Sequence, residues 1–185
     1  MTDLVVFVEE RSAGIVVQTI AARIAPERKV IVVEHEGKQD LRRSFPRKIQ
    51  AWRHPAQVPF VILHDNDSGD CSALKQGLFS AIPSAKRPRT KIRIVMQHLE
   101  AWYLGDAKAL VAAGLLTSAR ADSLANSSKF RDPDQLANAK QELKKLLKET
   151  GQILLARKIA PHMDLELNTS QSYRLFISTL KQILS

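Results

Sequence analysis

The apolar positions of the chain follow two patterns, which predict alternating strands and helices in its first part. Short continuous runs of β-branched residues are typical of buried strands, whereas apolar residues three or four positions apart are typical of helices. The predicted strands are residues 4–8, 30–33, 59–63 and 92–96. The predicted helices are residues 12–24, 41–52 and 72–79. Because parallel strands need crossover connections of this kind, we expect a largely parallel sheet covered on both faces.

Proline and glycine mark where these elements are interrupted. Pro46 lies inside the second predicted helix, so we expect a kink there or a late start of the helix. After Gly105 the pattern becomes helical throughout, with a break at residues 130–134, where Asp134 is a predicted cap of the following helix. The predicted later helices are residues 106–116, 135–150, 153–159 and 170–184. The expected architecture is an α/β core at residues 1–115 and a helical extension at 116–185 packed on it.

Composition narrows the class of protein. Hydrophobic residues make up 44% of the chain and charged residues 25%, as in an ordinary globular protein. The longest apolar runs are too short to cross a bilayer, and the first residues lack the pattern of a secretory signal. Cys71 is the single cysteine, which excludes an internal disulfide and a zinc site built from several thiolates. We therefore expect a cytoplasmic protein without a membrane partner.

The chain is strongly basic, with 28 Lys and Arg against 19 Asp and Glu and a net charge of +9. Such a charge favours encounter with polyanions, although a basic surface that only aids solubility is an equal alternative. The basic residues concentrate in two segments, 38–53 and 75–93. The residues predicted to contact nucleic acid are Lys38, Arg42, Arg43, Lys86, Arg87, Arg89 and Lys91.

Acidic residues that could share a metal site follow the first, third and fourth predicted strands. Glu9 follows the first strand, Asp65 and Asp67 the third, and Glu100 the fourth. The carboxyl ends of parallel strands share one edge of a sheet, which is where α/β proteins bind ligands. Neighbouring carboxylates repel each other unless a cation lies between them, and Mg²⁺ prefers oxygen ligands. Each position alone is a weak signal, but together they predict a Mg²⁺ or Mn²⁺ site.

Two other classes of protein have aspartates at a similar spacing, namely EF-hand proteins and phosphatases of the haloacid-dehalogenase type. An EF-hand loop that began at Asp65 would need glycine at its sixth position and glutamate at its twelfth, where this chain has Asp70 and Gln76. The EF-hand is therefore excluded. A phosphatase of the haloacid-dehalogenase type would use Asp65 as its nucleophile, but its motif follows the first strand rather than the third. An aspartate-nucleophile phosphatase remains an alternative.

Several motifs together resemble an uncharacterised bacterial family. These motifs are VEERS at residues 8–12, HEGKQDL at 35–41, DNDSGDC at 65–71, LEAWYLGD at 99–106, ARKIAPH at 156–162 and NTSQS at 168–172. The family is similar to Toprim domains, whose fold is shared by topoisomerases, primases and the overcoming-lysogenization-defect (OLD) nucleases. The resemblance runs along almost the whole chain. It implies a Toprim-like Rossmannoid sheet of about four strands.

The resemblance also implies roles for individual residues. Glu9 matches the glutamate that serves Toprim enzymes as a metal ligand or general acid/base, and Asp65 and Asp67 match their metal-binding DxD. Glu100 resembles a further acidic position of OLD-type nucleases, and Asp70 is implied as an additional metal ligand. Toprim enzymes have glycine after the glutamate, whereas this chain has Glu10. The added side chain would either crowd the approach to the backbone or supply another ligand.

The resemblance implies a Mg²⁺- or Mn²⁺-dependent nuclease that acts on DNA or RNA. Relatives occur beside ATPases of the AAA or ABC type, and related Toprim proteins serve in anti-phage defence, so a separate ATPase partner is implied. A non-catalytic subunit that binds nucleic acid or an ATPase is the main alternative. The apolar stripe of the last helix is either core or the surface of a homodimer. His64 and His98 lie beside the acidic motifs, but packing roles are the more common ones for such residues.

Overall fold

A four-stranded parallel sheet forms the centre of the protein. The structure is a computed structural model, and it describes residues 2–53, 57–67, 69–148 and 151–185. The strands are β1 (Leu4–Phe7), β2 (Val30–Val33), β3 (Phe60–Asp65) and β4 (Thr90–Val95), in the order β2-β1-β3-β4. Every pairing in the sheet is parallel. The predicted α/β class and parallel sheet are confirmed.

Three helices connect the strands and cover both faces of the sheet. They are α1 (Arg11–Ile24), α2 (Lys38–Ala51) and α3 (Cys71–Ala81). Val16 and Ile20 of α1 pack on one face with Val6, whereas α2 and α3 pack on the other. The second face is built around Phe7, Phe45, Phe60, Ile62 and Leu78. A 3-10 helix (Ser84–Arg89) replaces the predicted loop before β4.

Helix α2 begins earlier than Pro46 led us to expect. It starts at Lys38 and continues through the proline, so the alternative of a late start is wrong. Gly37 precedes the helix with a φ of 91°, a left-handed conformation that strains any residue with a side chain. Its N–H donates to the carbonyl of Glu9 at 2.8 Å. This hydrogen bond ties the start of α2 to the end of β1.

The regular elements after β4 in the described residues are helices, joined by turns and loops. Its α-helices are α4 (Leu99–Leu104), α5 (Ala107–Ala112), α6 (Ser118–Asn126), α7 (Ala139–Leu146), α8 (Gln152–Ile159) and α9 (Gln171–Leu184). Trp102 of α4 stacks on Phe176 of α9 at 5.3 Å between ring centroids and donates to the Ser172 hydroxyl at 2.8 Å. The later helices therefore share the core of α1 and the sheet. The domain boundary predicted at residue 115 stays a prediction.

The region around the predicted helix 135–150 differs most from expectation. The helix is limited to α7, and residues 149 and 150 lie outside the described residues. Asp134 does not cap it. Instead its buried carboxylate accepts hydrogen bonds from the Ser170 hydroxyl at 2.6 Å and the Ser172 N–H at 2.7 Å. These bonds attach the segment to the start of α9, which a local capping rule could not foresee. Helix α6 was not predicted.

None of the helices in the described part of the chain is both long enough and apolar enough to span a bilayer.

Candidate metal centre

Three side chains converge where β3 and β4 end. Asp65 is the last residue of β3, Asp67 lies in the following turn, and His98 lies between β4 and α4. Each offers a ligand atom, and these atoms all lie within 4.8 Å of one another. The His98 Nδ1 atom is 3.5 Å from Asp67 Oδ1 and 3.7 Å from Asp65 Oδ2. The sheet edge thus gathers two carboxylates and an imidazole.

The two loops that carry these residues are joined by their backbones. The N–H of Asn66 donates to the carbonyl of Val95 at 2.9 Å, and the N–H of Asp67 donates to that of Gln97 at 3.3 Å. Asp67 and Gln97 have φ values of 48° and 62°. Left-handed backbone is uncommon for residues other than glycine and concentrates at functional sites. Here it aligns the loops so that Asp67 faces His98.

Glu9 lies beside this group and is held by buried partners. Its Oε1 atom accepts the N–H of Asp65 at 2.7 Å and lies 2.9 Å from Nδ1 of His64. His64 is fully buried, and its Nε2 atom accepts from Nε of Arg42 at 2.9 Å. Because Nε2 is an acceptor, the imidazole proton of neutral His64 resides on Nδ1. The Nδ1 N–H of His64 therefore faces two acceptors, the carbonyl of Asp65 at 2.6 Å and the carboxylate of Glu9.

Lys38 supplies a positive charge at the opening of the site. Its Nζ atom lies 2.8 Å from Oδ2 of Asp67, and this contact raises the pKa of Lys38. Both side chains are partly exposed. The left-handed Gly37 and its hydrogen bond to Glu9 place the start of α2 here. The second oxygen of Asp67 therefore already carries a cation, while the first faces His98.

Proton affinities in the site are shifted from their ordinary values. Burial raises the pKa of Asp65 to about 7; the nearby His98 imidazole opposes this rise, and the Glu9 carboxylate adds to it. In turn, the proximity of Asp65 raises the pKa of His98. Shifts of this kind are common at functional sites, because crowded carboxylates resist ionising together. A divalent cation would relieve that repulsion.

Other predicted ligands lie farther from the group or have different partners. The carboxylate of Asp70 caps α3 by accepting from the N–H groups of Ser72 and Ala73 at 2.8 and 3.1 Å. Glu100 is buried at the start of α4, and its Oε1 atom is 3.5 Å from Nε2 of Gln152. Neither belongs to the three-residue group. Glu9, Asp70 and Glu100 as metal ligands stay predictions.

The basic residues divide between the two ends of the sheet. Arg42 and Arg43 lie on the first turns of α2, next to Lys38 at the carboxyl end. Residues 86–91 lie at the opposite end, where β4 begins. Lys86 donates to the carbonyl of Trp52 at 3.0 Å, and Arg87 donates to that of Ile82 at 3.0 Å. Nucleic-acid contact by either group stays a prediction, and the geometry favours the residues of α2.

The donor set suits a divalent cation. Carboxylates are the ligands of Mg²⁺ and Mn²⁺, and imidazole extends the choice toward transition metals. The buried Oδ1 atom of Asn66, between Asp65 and Asp67, finds no hydrogen-bond donor among the described residues. A hydrated cation in this loop would provide one. His98 is the candidate ligand that sequence reasoning undervalued; the available signal was an imidazole shortly after a strand and two residues before Glu100.

A known protein family matches most of the chain. The model of the family DUF4276, a domain of unknown function, matches residues 8–181. The chain belongs to this family. None of the curated proteins compared with this DUF4276 chain matches it.

The fold of this DUF4276 chain is similar to solved structures of OLD proteins. The C-terminal region of the Burkholderia pseudomallei OLD protein is 17% identical, with a TM-score of 0.60, and each chain is covered over 100% of its length. The C-terminal region of the Xanthomonas campestris pv. campestris OLD protein, phased with iodine, is 14% identical with a TM-score of 0.53, over 100% of this chain and 96% of that one. The expected relation to OLD proteins is confirmed for the fold. The individual motif pattern stays a prediction.

Proposed function

We propose that this protein is a nuclease that hydrolyses phosphodiester bonds of DNA or RNA with Mg²⁺ or Mn²⁺. The observation that carries the proposal is the convergence of Asp65, Asp67 and His98 at the carboxyl edge of the sheet. The OLD-like fold and the implied Toprim resemblance support it. The net charge of +9 favours a polyanionic substrate.

Each side chain of the site has a chemical role in this proposal. Asp65, Asp67 and His98 would hold the cation, which supplies Lewis acidity toward a phosphate and an acidified water when bound. Glu9, oriented by His64, accepts a proton from the attacking water. Lys38, Arg42 and Arg43 bind the phosphates that flank the scissile bond. The buried Glu100 adds negative charge on the α4 side of the site.

The test is cleavage of fluorescent single- and double-stranded DNA and RNA by the purified chain. We expect cleavage with Mn²⁺ or Mg²⁺ and none with chelator. Asp67→Asn removes one ligand charge from a partly exposed side chain and abolishes cleavage while the far-ultraviolet circular dichroism is unchanged. Asp122→Asn makes the same change on the exposed face of α6 and keeps full activity. Metal-independent cleavage, or full activity of Asp67→Asn, contradicts the proposal.

The Lys38–Asp67 ion pair favours a second candidate function, that of a binding subunit without catalytic activity. A protein whose acidic group is neutralised by its own lysine could bind nucleic acid or an ATPase without catalysis. Such a subunit binds oligonucleotides equally well with and without chelator, and its affinity falls with salt. The ATPase partner, a role in phage defence, a homodimer and a cytoplasmic location also stay proposals. Trapping of an aspartyl-phosphate analogue on Asp65 by beryllofluoride would instead support the phosphatase alternative.

A further inference from the structure

The outer edge of β4 is open in the described part of the chain. β4 stands last in the strand order, and its described strand partner is β3. Helix α3 packs on one face of the sheet through Leu78, and α9 packs on the other through Phe176. Both helices contact β4. The edge of the strand therefore lies between two helical walls.

This edge is the floor of a continuous groove. A cavity of about 280 Å³ lies along the second half of β4 and reaches Met96, and another of about 510 Å³ lies along the first half and begins at Thr90. The two cavities share Lys75, Ile92 and Arg93. At about 3.3 Å per residue, the groove accommodates an extended segment of roughly seven residues.

The backbone of β4 presents peptide groups to the groove. The Val95 carbonyl accepts from the Asn66 N–H on the side of β3. Because peptide groups alternate along a strand, Ile92, Ile94 and Met96 direct theirs away from β3. The N–H of Met96 donates to the Ser172 hydroxyl at 3.4 Å, and Arg93 Nη1 donates to the Ile92 carbonyl at 3.0 Å. The peptide groups of Ile94 face the groove between these two covered positions.

The side chains of the groove combine apolar surface with positive charge. Phe79 on the α3 wall is 46% exposed, and Leu175 on the α9 wall is 52% exposed. Lys75 and Lys91 are exposed beside them. Arg93 is half-buried with Nε on the Thr179 hydroxyl at 2.6 Å, and no carboxylate pairs with it among the described residues. Asp132 is the exposed acid at the Met96 end.

We propose that this groove binds an extended acidic segment of another protein, which adds to the sheet beside β4 and places a carboxylate on Arg93. Exposed strand edges accept an additional strand through main-chain hydrogen bonds, and side chains in flanking pockets provide the selectivity. A second copy of this chain is a poorer occupant. Antiparallel pairing of two β4 strands would bring Lys91 and Arg93 of each copy close together, and like charges across strands are destabilising.

The test uses defined peptide probes. Three fluorescein-labelled peptides of about seven residues are compared: one alternates valine and glutamate, one has lysine for glutamate, and one is the glutamate peptide with alternate backbone nitrogens methylated. Fluorescence anisotropy should show that the glutamate peptide binds at least about tenfold more tightly than the other two. Binding should also slow hydrogen exchange of the Ile94 amide.

Two variants address the charge and the backbone separately. Arg93→Gln removes the cation, and Ile94→Pro removes the outward N–H, a change that edge strands tolerate. Each substitution should lower the affinity for the glutamate peptide by about tenfold or more. Lys140→Gln removes a charge from the exposed face of α7 and should leave binding unchanged. If Ile94→Pro fails to fold, Arg93→Gln and the methylated peptide still decide the matter.

Several results would overturn the proposal. One is equal binding of the glutamate and lysine peptides, and another is full binding of the methylated peptide. Displacement of the glutamate peptide by oligothymidylate would assign the groove to nucleic acid. Self-association of the chain that disappears in Ile94→Pro would assign it to a second copy. None of these outcomes depends on nuclease activity, so the groove and the proposed metal site are tested independently.

Discussion

The Nδ1 atom of His64 lies 2.9 Å from Oε1 of Glu9, and together with Arg42 these residues form a chain from the surface of α2 to the site. The arginine fixes the imidazole tautomer, and the Nδ1 N–H of the imidazole is shared between the Asp65 carbonyl at 2.6 Å and the Glu9 carboxylate. Substitution of a residue that hydrogen-bonds to a side chain of a metal site commonly lowers metal affinity or activity by about 10- to 100-fold. The chain makes His64 a positioning residue for Glu9.

We expect His64→Ala to lower the turnover number for cleavage by about 10- to 100-fold, because Glu9 loses the donor that orients it. Cleavage under single-turnover conditions measures this effect. His64→Asn places an amide donor near the position of Nδ1 and should restore part of the rate. His162→Ala removes an exposed histidine and should have no effect. Wild-type turnover by His64→Ala would show that Glu9 needs no such support.

The Lys38–Asp67 ion pair predicts opposite effects on metal binding and catalysis. Lys38→Met removes an ammonium that lies 2.8 Å from the carboxylate of Asp67, a candidate ligand, so the affinity for Mn²⁺ should rise by about three- to tenfold. Cleavage should fall, because Lys38 no longer binds the substrate phosphate. Titration calorimetry with Mn²⁺ measures the first effect.

Arg43→Met is the matched control for this prediction. Its guanidinium lies 3.9 Å from Asp40 rather than beside Asp65, Asp67 or His98, so the variant should keep wild-type Mn²⁺ affinity. If Lys38→Met and Arg43→Met bind Mn²⁺ equally, the ammonium does not compete with the ion.

The sheet and its connecting helices could be predicted because their signals are local. Runs of β-branched residues mark the strands, and parallel topology follows from the length of the crossovers. The same reasoning brought Asp65 and Asp67 to one sheet edge. The capping role of Asp70 was also a local signal, but the family resemblance implied a metal ligand instead, since a carboxylate at a helix start serves either purpose.

The remaining features depend on contacts between distant segments. The convergence of His98 with the aspartates depends on the loop hydrogen bonds of Asp67 and Gln97 with their left-handed backbone. The burial of Asp134 by Ser170 and Ser172 overrides the cap that its position suggested. Residues 86–91 were predicted to contact nucleic acid together with basic residues of α2, yet the start of β4 places them at the other end of the sheet. Sequence spacing alone carries none of this information.

The raised pKa of Asp65 predicts how stability without metal depends on pH. Its folded pKa of about 7 lies above the ordinary value of 3.8, so the folded chain retains a proton that the unfolded chain loses. The stabilisation from this group is complete at low pH and disappears as the pH rises to about 7. In chelator at pH 8, Asp65→Asn should therefore raise the free energy of unfolding by roughly 1–2 kcal/mol.

Urea unfolding at pH 5 and pH 8 measures this effect. The advantage of Asp65→Asn should shrink at pH 5, and Mn²⁺ should stabilise the wild type but not the variant. Asp122→Asn, on the exposed face of α6, should show no such dependence on pH. A less stable Asp65→Asn protein at pH 8 would mean that the ionised carboxylate is compensated within the fold.

Gly105 joins α4 to the segment before α9, and the space around it predicts a packing effect. An added Cβ would overlap Oδ1 of Asn168 and lie 3.0 Å from the N–H of Ser170. Asn168 donates to the carbonyl of Trp102 at 2.9 Å and accepts from Ser170 at 2.8 Å, so it cannot move without losing these buried bonds. Gly105→Ala should therefore lower the free energy of unfolding by about 1–3 kcal/mol.

Gly77→Ala is the matched substitution, because its Cβ would meet no atom within 4 Å in the middle of α3. It should stabilise the protein by about 0.5–1 kcal/mol, since alanine loses less backbone entropy in a helix. Opposite shifts of the two alanine variants in urea unfolding would show that residues 168–170 hold the later helices against α4. A Gly105→Ala protein as stable as the wild type would mean that this segment yields, and that the later helices depend instead on apolar contacts such as Trp102 with Phe176.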